Sequence, residues 1–477
     1  MTDPKKTRFL DRPRWRLAAL LSSAALLGGC ASFSPDGGFA PVQQIAKDRL
    51  GKDLQWARSD TDRDSIDQRV RELLAKPLSV DDAVQIALLN NRGLQAEYQE
   101  LGIAEADLVQ AGRLPNPGVA FARKTQGSEV EIEWLLAINV ARLIAIPLFL
   151  EVESRRFAET QLRVSLQMVS LAADTRKAYF NALAAEESVR YMRQVMQAAE
   201  ASAELARRME QVGNFNKLQR AREQGFYADA ALNLARAEQA QRATRERLTR
   251  LMGLWGARIQ FKLPDRLPDL PKSPTDLLDL EKLALEQRLD VRGAKLAAEQ
   301  TAKNLGLIRT TRFINVLEVG AIYNTFNDAP SQRGYEIGFE LPLFDWGDAR
   351  VAKAESIYMQ ALDRAAQTAI DARSEVREAY TGYRSAYDIA RHHRDEIVPV
   401  RQRIAEENLL RYNGMLIGVF ELLADARAQI SSVNNYIESL RDYWIAQADL
   451  DMALIGKPSL VAPAGPATTA EPGGAAH

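Results

Sequence analysis

The sequence predicts a mainly α protein with a small β part, in which a duplicated repeat of long antiparallel helices is accompanied by four strands. Three observations predict this fold: internal repetition, long helical runs, and short segments in which polar and apolar residues alternate. The repetition is seen in landmarks that keep their order, in which Pro147-Leu148-Phe149 recurs as Pro342-Leu343-Phe344, Ala178-Tyr179 as Ala379-Tyr380, and Gly213 as Gly414. Repetition over such a length indicates a duplicated architecture.

Each repeat contains one long helical run and two shorter ones. Residues 151–212 contain neither Pro nor Gly, which predicts a single helix of roughly 93 Å at 1.5 Å per residue. The shorter runs of this repeat cover about 92–112 and 217–252, and those of the second repeat cover about 290–311 and 416–455 beside a long run over 348–412. Two stacked short helices nearly equal one long helix, so we expect paired helical columns. The Ala-rich composition of these runs also fits a simple coiled-coil hairpin.

The N-terminus has the pattern of a bacterial lipoprotein signal. Basic residues between Lys5 and Arg16 precede an apolar stretch, Leu17 to Leu27, that is too short to span a membrane as a helix. It ends at Leu27-Gly28-Gly29-Cys30, which resembles the lipobox, and Cys30 is the only cysteine of the chain. We therefore predict a signal peptide over 1–29 and lipid attachment at Cys30. A plain signal peptide with a coincidental cysteine is the alternative. The absence of Asp after Cys30 implies sorting to the outer membrane, by analogy with bacterial lipoproteins.

The alternating segments are predicted to be strands. Glu129–Trp134 and Tyr335–Leu341 alternate strictly, and they pair with segments at about 118–123 and 316–325. In a soluble protein this pattern describes a half-buried sheet, whereas beside an outer-membrane signal it is typical of a transmembrane barrel with its polar face toward water. On that reading the lumen is lined by Glu131, Glu133, Glu336 and Glu340. Four strands cannot close a barrel, and lipid cannot satisfy their edges, so several copies must assemble. The apolar stretch 134–150 is interpreted as strand plus turn, ended by Pro147.

Catalytic, metal and nucleic-acid functions are not expected. His392 and His393 are adjacent, so they point in different directions on a helix, and no further His or Cys ligands accompany them. The formal net charge is −1 and becomes more negative without the basic leader, which gives the chain no reason to bind nucleic acid. We therefore predict no enzyme activity, no cofactor and no metal site.

Five motifs resemble those of the TolC family of outer-membrane efflux channels. They are Pro77–Val84 with Asn90-Asn91, Leu114–Pro117, Arg288–Val291, Leu341–Gly347 and Arg411–Gly414. The resemblance implies a homotrimer, with twelve strands in one barrel and twelve helical columns in a periplasmic tunnel. It also implies passive export of cargo in a tripartite pump with a periplasmic adaptor and an inner-membrane transporter. At Phe149-Leu150-Glu151 the first repeat lacks the Asp-x-Gly turn found at 345–347.

The resemblance covers about residues 77 to 457, and the local composition predicts the segments on either side of it. The expected segments are a lipid-anchored strap over 30–76, a first repeat over 77–257, a linker over 258–275, a second repeat over 276–457 and a disordered tail over 458–477. Adaptor docking is expected at a periplasmic tip made by the two helix reversals, at Gly213, Asn214, Asn413 and Gly414, where Gly and Asn suit positive φ angles.

A candidate tunnel gate lies near this tip. Glu421 and Asp425 are one helical turn apart and should share a side of their helix. In related channels acidic side chains at this level narrow the tunnel, and Arg411 and Tyr412 are candidates for the polar network around them. The alternative is an ordinary charged helix face. For the whole chain, the alternative is a periplasmic helical-hairpin adaptor, which would lack the amphipathic strands. Metal ions, drugs and organic acids all remain open as cargo.

Overall fold

The computed structural model describes residues 32–313 and 316–459. The signal peptide, Cys30 and the tail from residue 460 lie outside the described residues. The chain divides into two compact units, of which unit 1 contains 32–42, 98–164 and 293–366, and unit 2 contains 43–97, 165–292 and 367–459. Both units draw on both sequence repeats, so the two halves are interwoven, as the repetition predicts.

Helices dominate the chain, and four strands interrupt them. In chain order the elements are α1 Ala40–Leu50, α2 Asp60–Leu74, α3 Val80–Asn90, α4 Arg92–Ala111, β1 Gly118–Gln126, β2 Glu129–Asn139, α5 Val140–Gln211, α6 Lys217–Leu251, α7 Leu280–Gln287, α8 Leu289–Thr311, β3 Leu317–Phe326, β4 Gln332–Phe339, α9 Asp348–His392, α10 Val398–Asn413 and α11 Val419–Ala453. A 3-10 turn covers Gly256–Ile259, and a π-helical turn, His393–Ile397, joins α9 to α10. The mainly α fold with four strands is confirmed.

Unit 1 contains the sheet, whose strand order is β1-β2-β3-β4 with every neighbour antiparallel. The central pair, β2 and β3, joins the two repeats. Because β1 and β4 each have one strand neighbour within the described residues, the sheet is open at both edges. An open edge exposes a row of unpaired backbone groups, which another chain could pair.

The junction from the first repeat's strand into its long helix differs from the prediction. β2 continues to Asn139 and α5 begins at Val140, so the predicted turn before Pro147 does not exist and Pro147 lies inside the helix. The Asn139 side chain accepts a hydrogen bond from the Arg142 backbone N–H at 2.9 Å, as a helix-capping residue does. The prediction was wrong because the apolar residues on either side of Asn139 are compatible with a strand and with a helix alike.

The core of unit 2 is made by helices of both repeats and is rich in aromatic side chains. Tyr383, Tyr387 and Tyr443 are each only 1% exposed. The Tyr387 hydroxyl donates to the Lys272 carbonyl at 2.8 Å. These contacts fix the linker between the repeats against the long helix α9. The linker is thus an ordered part of this core.

In unit 2, hydrogen bonds connect the end of each repeat to its beginning. In the first, the Asn90 amide donates to the Met252 and Gly253 carbonyls at 2.9 and 2.7 Å. Gly253 has φ +65°, and a Cβ there would lie 2.7 Å from the Asn90 carbonyl oxygen, so only glycine fits. In the second, the Leu289 backbone N–H donates to the Ile455 carbonyl at 2.7 Å. The end of each repeat is therefore hydrogen-bonded to the junction between that repeat's first two helices, α3 and α4 in the first repeat and α7 and α8 in the second.

Within the described ranges, no helix combines the length and the hydrophobicity that crossing a bilayer requires.

Candidate channel surfaces

The sheet has one polar face and one apolar face. Directly opposed residues of neighbouring strands share a face, and Glu131 and Glu133 stand opposite Lys124 and Ala122 of β1. The same face receives Glu336 through the pairing of β4 with β3. Its charged members are Lys124, Glu129, Glu131, Glu133, Glu318 and Glu336. We name this the polar face.

Neighbouring side chains engage the carboxylates of the polar face. The Lys124 ammonium lies 2.6 Å from a Glu133 carboxylate oxygen, and the Asn324 amide donates to Glu131 at 2.9 Å. Glu340 does not lie in a strand, contrary to the prediction, because β4 ends at Phe339 and Glu340 follows it. Pro342 prevents the ladder from resuming further along, since proline cannot donate to a ladder hydrogen bond. Three of the four predicted lumen residues therefore lie in strands, on one face.

The apolar face carries large side chains that are exposed to an unusual extent. Phe121 and Trp134 form an edge-to-face pair with ring centroids 4.9 Å apart. The face is defined by Val119, Phe121, Trp134, Leu136, Ile138, Val319, Tyr323, Tyr335, Ile337 and Phe339, which are all between 38% and 81% exposed. A continuous apolar surface of this extent marks an interaction site, because water does not solvate it favourably. Toward the hairpin turns the same face becomes polar, where Arg123, Ile132 and Thr325 form one row.

The first helix reversal follows the prediction. α5 ends at Gln211, Gly213 has φ +81°, and the Asn214 backbone N–H donates back to the Met209 carbonyl at 2.8 Å. This is the glycine-based helix ending described for many helices. The next helix is capped by Asn216, whose side chain accepts from the Gln219 backbone N–H at 2.8 Å.

The second reversal differs by one residue from the prediction. Asn413 is the last residue of α10, but Gly414 has φ −80°, and the positive φ of +58° belongs to Met415. The Leu416 backbone N–H donates to the Arg411 carbonyl at 2.8 Å, which makes Met415 the structural counterpart of Gly213. Aligning glycine with glycine was therefore wrong by one position. The hydrogen-bond pattern, and not the residue type, sets the turn.

Apolar side chains surround both reversals. Val212 and Leu218 flank the first, and Leu410, Met415 and Leu416 belong to the second, with exposures between 61% and 92%. Such side chains are unfavourable in water unless another surface covers them.

The structure does not bring the four candidate gate residues together. Asp425 is half-buried and accepts a hydrogen bond from the amide of Asn408 on α10, whereas Glu421 is exposed. Arg411 lies 3.4 Å from Glu407 of its own helix, and Tyr412 is exposed. Asp425 therefore has a partner on a neighbouring helix, and the assignment of Glu421 and Asp425 to a tunnel gate stays a prediction.

Two buried ionic clusters were missed by sequence reasoning. Glu223 of α6 is 1% exposed and contacts Arg427 of α11 at 3.1 Å and the Ser202 hydroxyl of α5 at 2.8 Å. Arg288 is also 1% exposed, and it lies 2.6 Å from Asp290 and 2.7 Å from Glu375. Glu223 and Arg427 are far apart in sequence and leave no local pattern, whereas Arg288 and Asp290 belong to one motif, Arg288–Val291, and could have been singled out.

The histidine pair lies where α9 meets the π-helical turn. Burial lowers the pKa of His393, and the Nδ1 atom of His392 lies 3.2 Å from Glu396. In the part of the chain that the structure describes, no three His, Cys, Asp or Glu side chains converge as metal ligands would.

Comparison with known proteins identifies relatives of this fold. No family model matches the chain. It is 26% identical over 308 residues to the cobalt-zinc-cadmium resistance protein CzcC of Cupriavidus metallidurans, covering 62% of this chain and 70% of that protein. Among solved structures it resembles the Campylobacter jejuni CmeC outer membrane channel, with a TM-score of 0.69, 16% identity and coverage of 86% of this chain and 91% of CmeC.

Two further structures agree. The open state of the Neisseria gonorrhoeae MtrE outer membrane channel gives a TM-score of 0.66 at 18% identity, covering 79% of this chain and 89% of MtrE. CusC, whose structures describe transmembrane channel formation, gives 0.65 at 18% identity, covering 79% of this chain and 92% of CusC. The fold is that of outer-membrane channels, and the predicted resemblance to the TolC family is confirmed at the level of the fold.

Proposed function

We propose that the chain is the outer-membrane channel of a tripartite efflux system and a passive conduit from the periplasm to the exterior. The observation that carries this proposal is the open four-stranded sheet with a polar and an apolar face. A soluble domain would bury the apolar face, whereas a barrel in a membrane turns it toward lipid and keeps the polar face in water. The fold shared with outer-membrane channels supports the same conclusion.

The functional unit in this proposal is a homotrimer. Both sheet edges are open in the single chain, and backbone groups inside a membrane must be hydrogen-bonded. Three copies that pair β1 of one chain with β4 of the next would close the sheet. Cys30 would add a lipid anchor in the same membrane.

The partners in this proposal are a periplasmic adaptor and an inner-membrane transporter. The exposed apolar side chains at the two helix reversals, Val212 and Leu218 with Leu410, Met415 and Leu416, offer a docking surface for the adaptor. The four-stranded sheet argues against the alternative that the chain is itself the adaptor. An enzyme function is not part of the proposal.

Divalent metal cations are the proposed cargo class. The polar face carries five carboxylates against one ammonium group, so a lumen lined by three copies would attract cations. The relative CzcC is named for resistance to cobalt, zinc and cadmium. In a host that lacks the gene for this chain, expression of the chain should restore growth in the presence of cobalt, zinc or cadmium. It should restore growth in the presence of organic acids or drugs to a smaller extent.

Conductance is the direct test of the channel. The purified full chain, reconstituted into planar bilayers, should give discrete conductance steps and should migrate as a trimer after chemical cross-linking. Trimers that insert but carry no current would contradict the channel proposal. An adaptor would give neither insertion nor current.

A further inference from the structure

We propose that the segment after β4 is an interfacial membrane anchor, which inserts into the phospholipid headgroup region at the helical end of the sheet. The proposal rests on the proposed membrane insertion of the sheet. The anchor consists of Leu341, Leu343, Phe344 and Trp346, which we call the collar. These side chains are 63%, 67%, 98% and 58% exposed, and Phe344 is nearly as accessible as in an extended peptide.

The collar is held in an ordered conformation. The Gly347 backbone N–H donates to the Asp345 carboxylate at 2.8 Å, and the Leu343 N–H donates to the Leu341 carbonyl at 2.8 Å. Gly347 has φ +73°, and a Cβ there would lie 3.1 Å from the Arg312 carbonyl oxygen, so the segment packs closely against the chain that leads into β3. Its apolar side chains are therefore presented outward by specific backbone contacts.

The position of the collar argues for lipid. β4 ends at Phe339, and Leu341 and Leu343 continue the two-residue spacing of the apolar face. At this end of the sheet β1 begins, β2 ends and β3 begins, and an exposed large apolar residue lies close to each of these three points: Leu114 before β1, Ile144 near the start of α5, and Phe313 before β3. The exposed apolar band thus extends from the sheet into the residues that adjoin all four strands at this end, at the level where a bilayer would end.

The chemistry of the collar suits the headgroup region. Trp is enriched at membrane–water interfaces, Phe and Leu can bury into the boundary between headgroups and acyl chains, and basic residues beside them can reach lipid phosphates. Arg312 stacks on Phe313 at 4.0 Å from the ring centroid and also carries the backbone carbonyl to which Arg350 donates at 3.4 Å. Two cationic side chains therefore lie next to the apolar segment.

The first repeat has no equivalent segment. Its Pro147-Leu148-Phe149 lies inside α5, where Phe149 is half-buried and Arg142 lies 5.7 Å from its ring centroid. The sequence repeat predicts two equivalent junctions in each chain, but only the second is an exposed loop. A trimer would accordingly carry three collars, one for each chain.

The test is a spin label at the collar. The full-length Phe344→Cys variant is spin-labelled and reconstituted into phosphatidylethanolamine–phosphatidylglycerol vesicles. The collision rates of the label with oxygen and with a water-soluble nickel chelate are then measured. Met359→Cys is the matched control, because Met359 is 55% exposed on α9 and lies roughly 17 Å along the helix from its start. The unsubstituted chain measures any background labelling of Cys30.

Lipid contact predicts that position 344 is accessible to oxygen and loses access to nickel, while position 359 keeps its access to nickel. Equal nickel access at both positions would place the collar in water and overturn the proposal. Low access to both reagents at 344 would show that a second copy covers it, which also overturns it. A chain that fails to insert would reject the channel proposal together with the collar, whereas conducting trimers with a wet collar reject the collar alone.

Three further variants test the collar without a spin label. Phe344→Asp should lower the yield of inserted trimer, and Phe344→Trp should preserve it. Met359→Asp makes the same chemical change at an exposed apolar position outside the collar and should leave the yield unchanged. If Phe344→Asp inserts as well as Met359→Asp does, the collar does not contribute to anchoring.

Discussion

A charge on the apolar face of the sheet should block assembly, while the same charge one residue away on the polar face should not. Leu136 lies in a row with Val119, Ala321 and Tyr335, and Leu135 is its neighbour on the polar face. Arginine at a lipid-facing position near the bilayer midplane costs about 2–4 kcal/mol. Per chain, this weakens insertion roughly 30- to 700-fold, at tenfold for each 1.4 kcal/mol. The cost applies to each of three copies in the proposed trimer.

The assay compares Leu136→Arg with Leu135→Arg during urea titration of folding into phospholipid vesicles. The unfolding midpoint of Leu136→Arg should shift to lower urea, and its yield of trimer should fall, while Leu135→Arg should remain close to the unsubstituted chain. Equal losses in the two variants would refute the assignment of faces. A larger loss in Leu135→Arg would reverse it.

The register refines the expectation for Ile132, which alternation places on the side of the sheet that faces lipid or its interface. Its row contains Arg123 and Thr325, so it lies at the polar margin, where a charge costs about 0–1 kcal/mol. Ile132→Arg should therefore impair assembly less than Leu136→Arg does. Glu133→Arg is a weaker control than Leu135→Arg, because it would place a second cation beside Lys124.

Four further outcomes are expected. Cys30→Ser should abolish acyl labelling, and labelled palmitate on that variant would contradict lipid attachment. The double variant Glu421→Ala with Asp425→Ala should weaken channel block by divalent cations in planar bilayers. Since the Asn408 amide donates a hydrogen bond to Asp425, Glu421→Ala alone should account for most of the change. Unchanged block in the double variant would indicate an ordinary solvated helix face. Met415→Gly should stabilise the second reversal by about 1 kcal/mol in thermal unfolding, because a positive φ is strained by about that much for a residue other than glycine. Destabilisation would show that the Met415 side chain makes contacts that the fold needs. Arg288→Ala should destabilise the chain by roughly 3 kcal/mol in denaturant unfolding, because it leaves two carboxylates without their buried partner, and a change near zero would contradict this.

The sequence by itself determined the duplication, the helices and strands and the polarity of the sheet. Period-two alternation over Glu129–Trp134 fixed which residues share a face, because successive side chains of a strand point to opposite sides. Gly213 and its flanking residues predicted the first reversal, because a glycine after a long helical run is a local signal. These features depend on neighbours in the chain, which a sequence displays directly.

The tertiary structure decided what depends on distant partners. The cross-strand register placed Ile132 beside Arg123, and the hydrogen bond from Asn408 turned Asp425 toward α10. Packing also allowed β2 to pass into α5 without a turn, although the second repeat keeps a loop at the corresponding place. An apolar run has the same local sequence pattern whether it forms a turn or continues as a helix, and a pair of carboxylates has the same pattern whether it faces a lumen or a neighbouring helix. The interactions that select one structure come from residues tens to hundreds of positions away in the sequence.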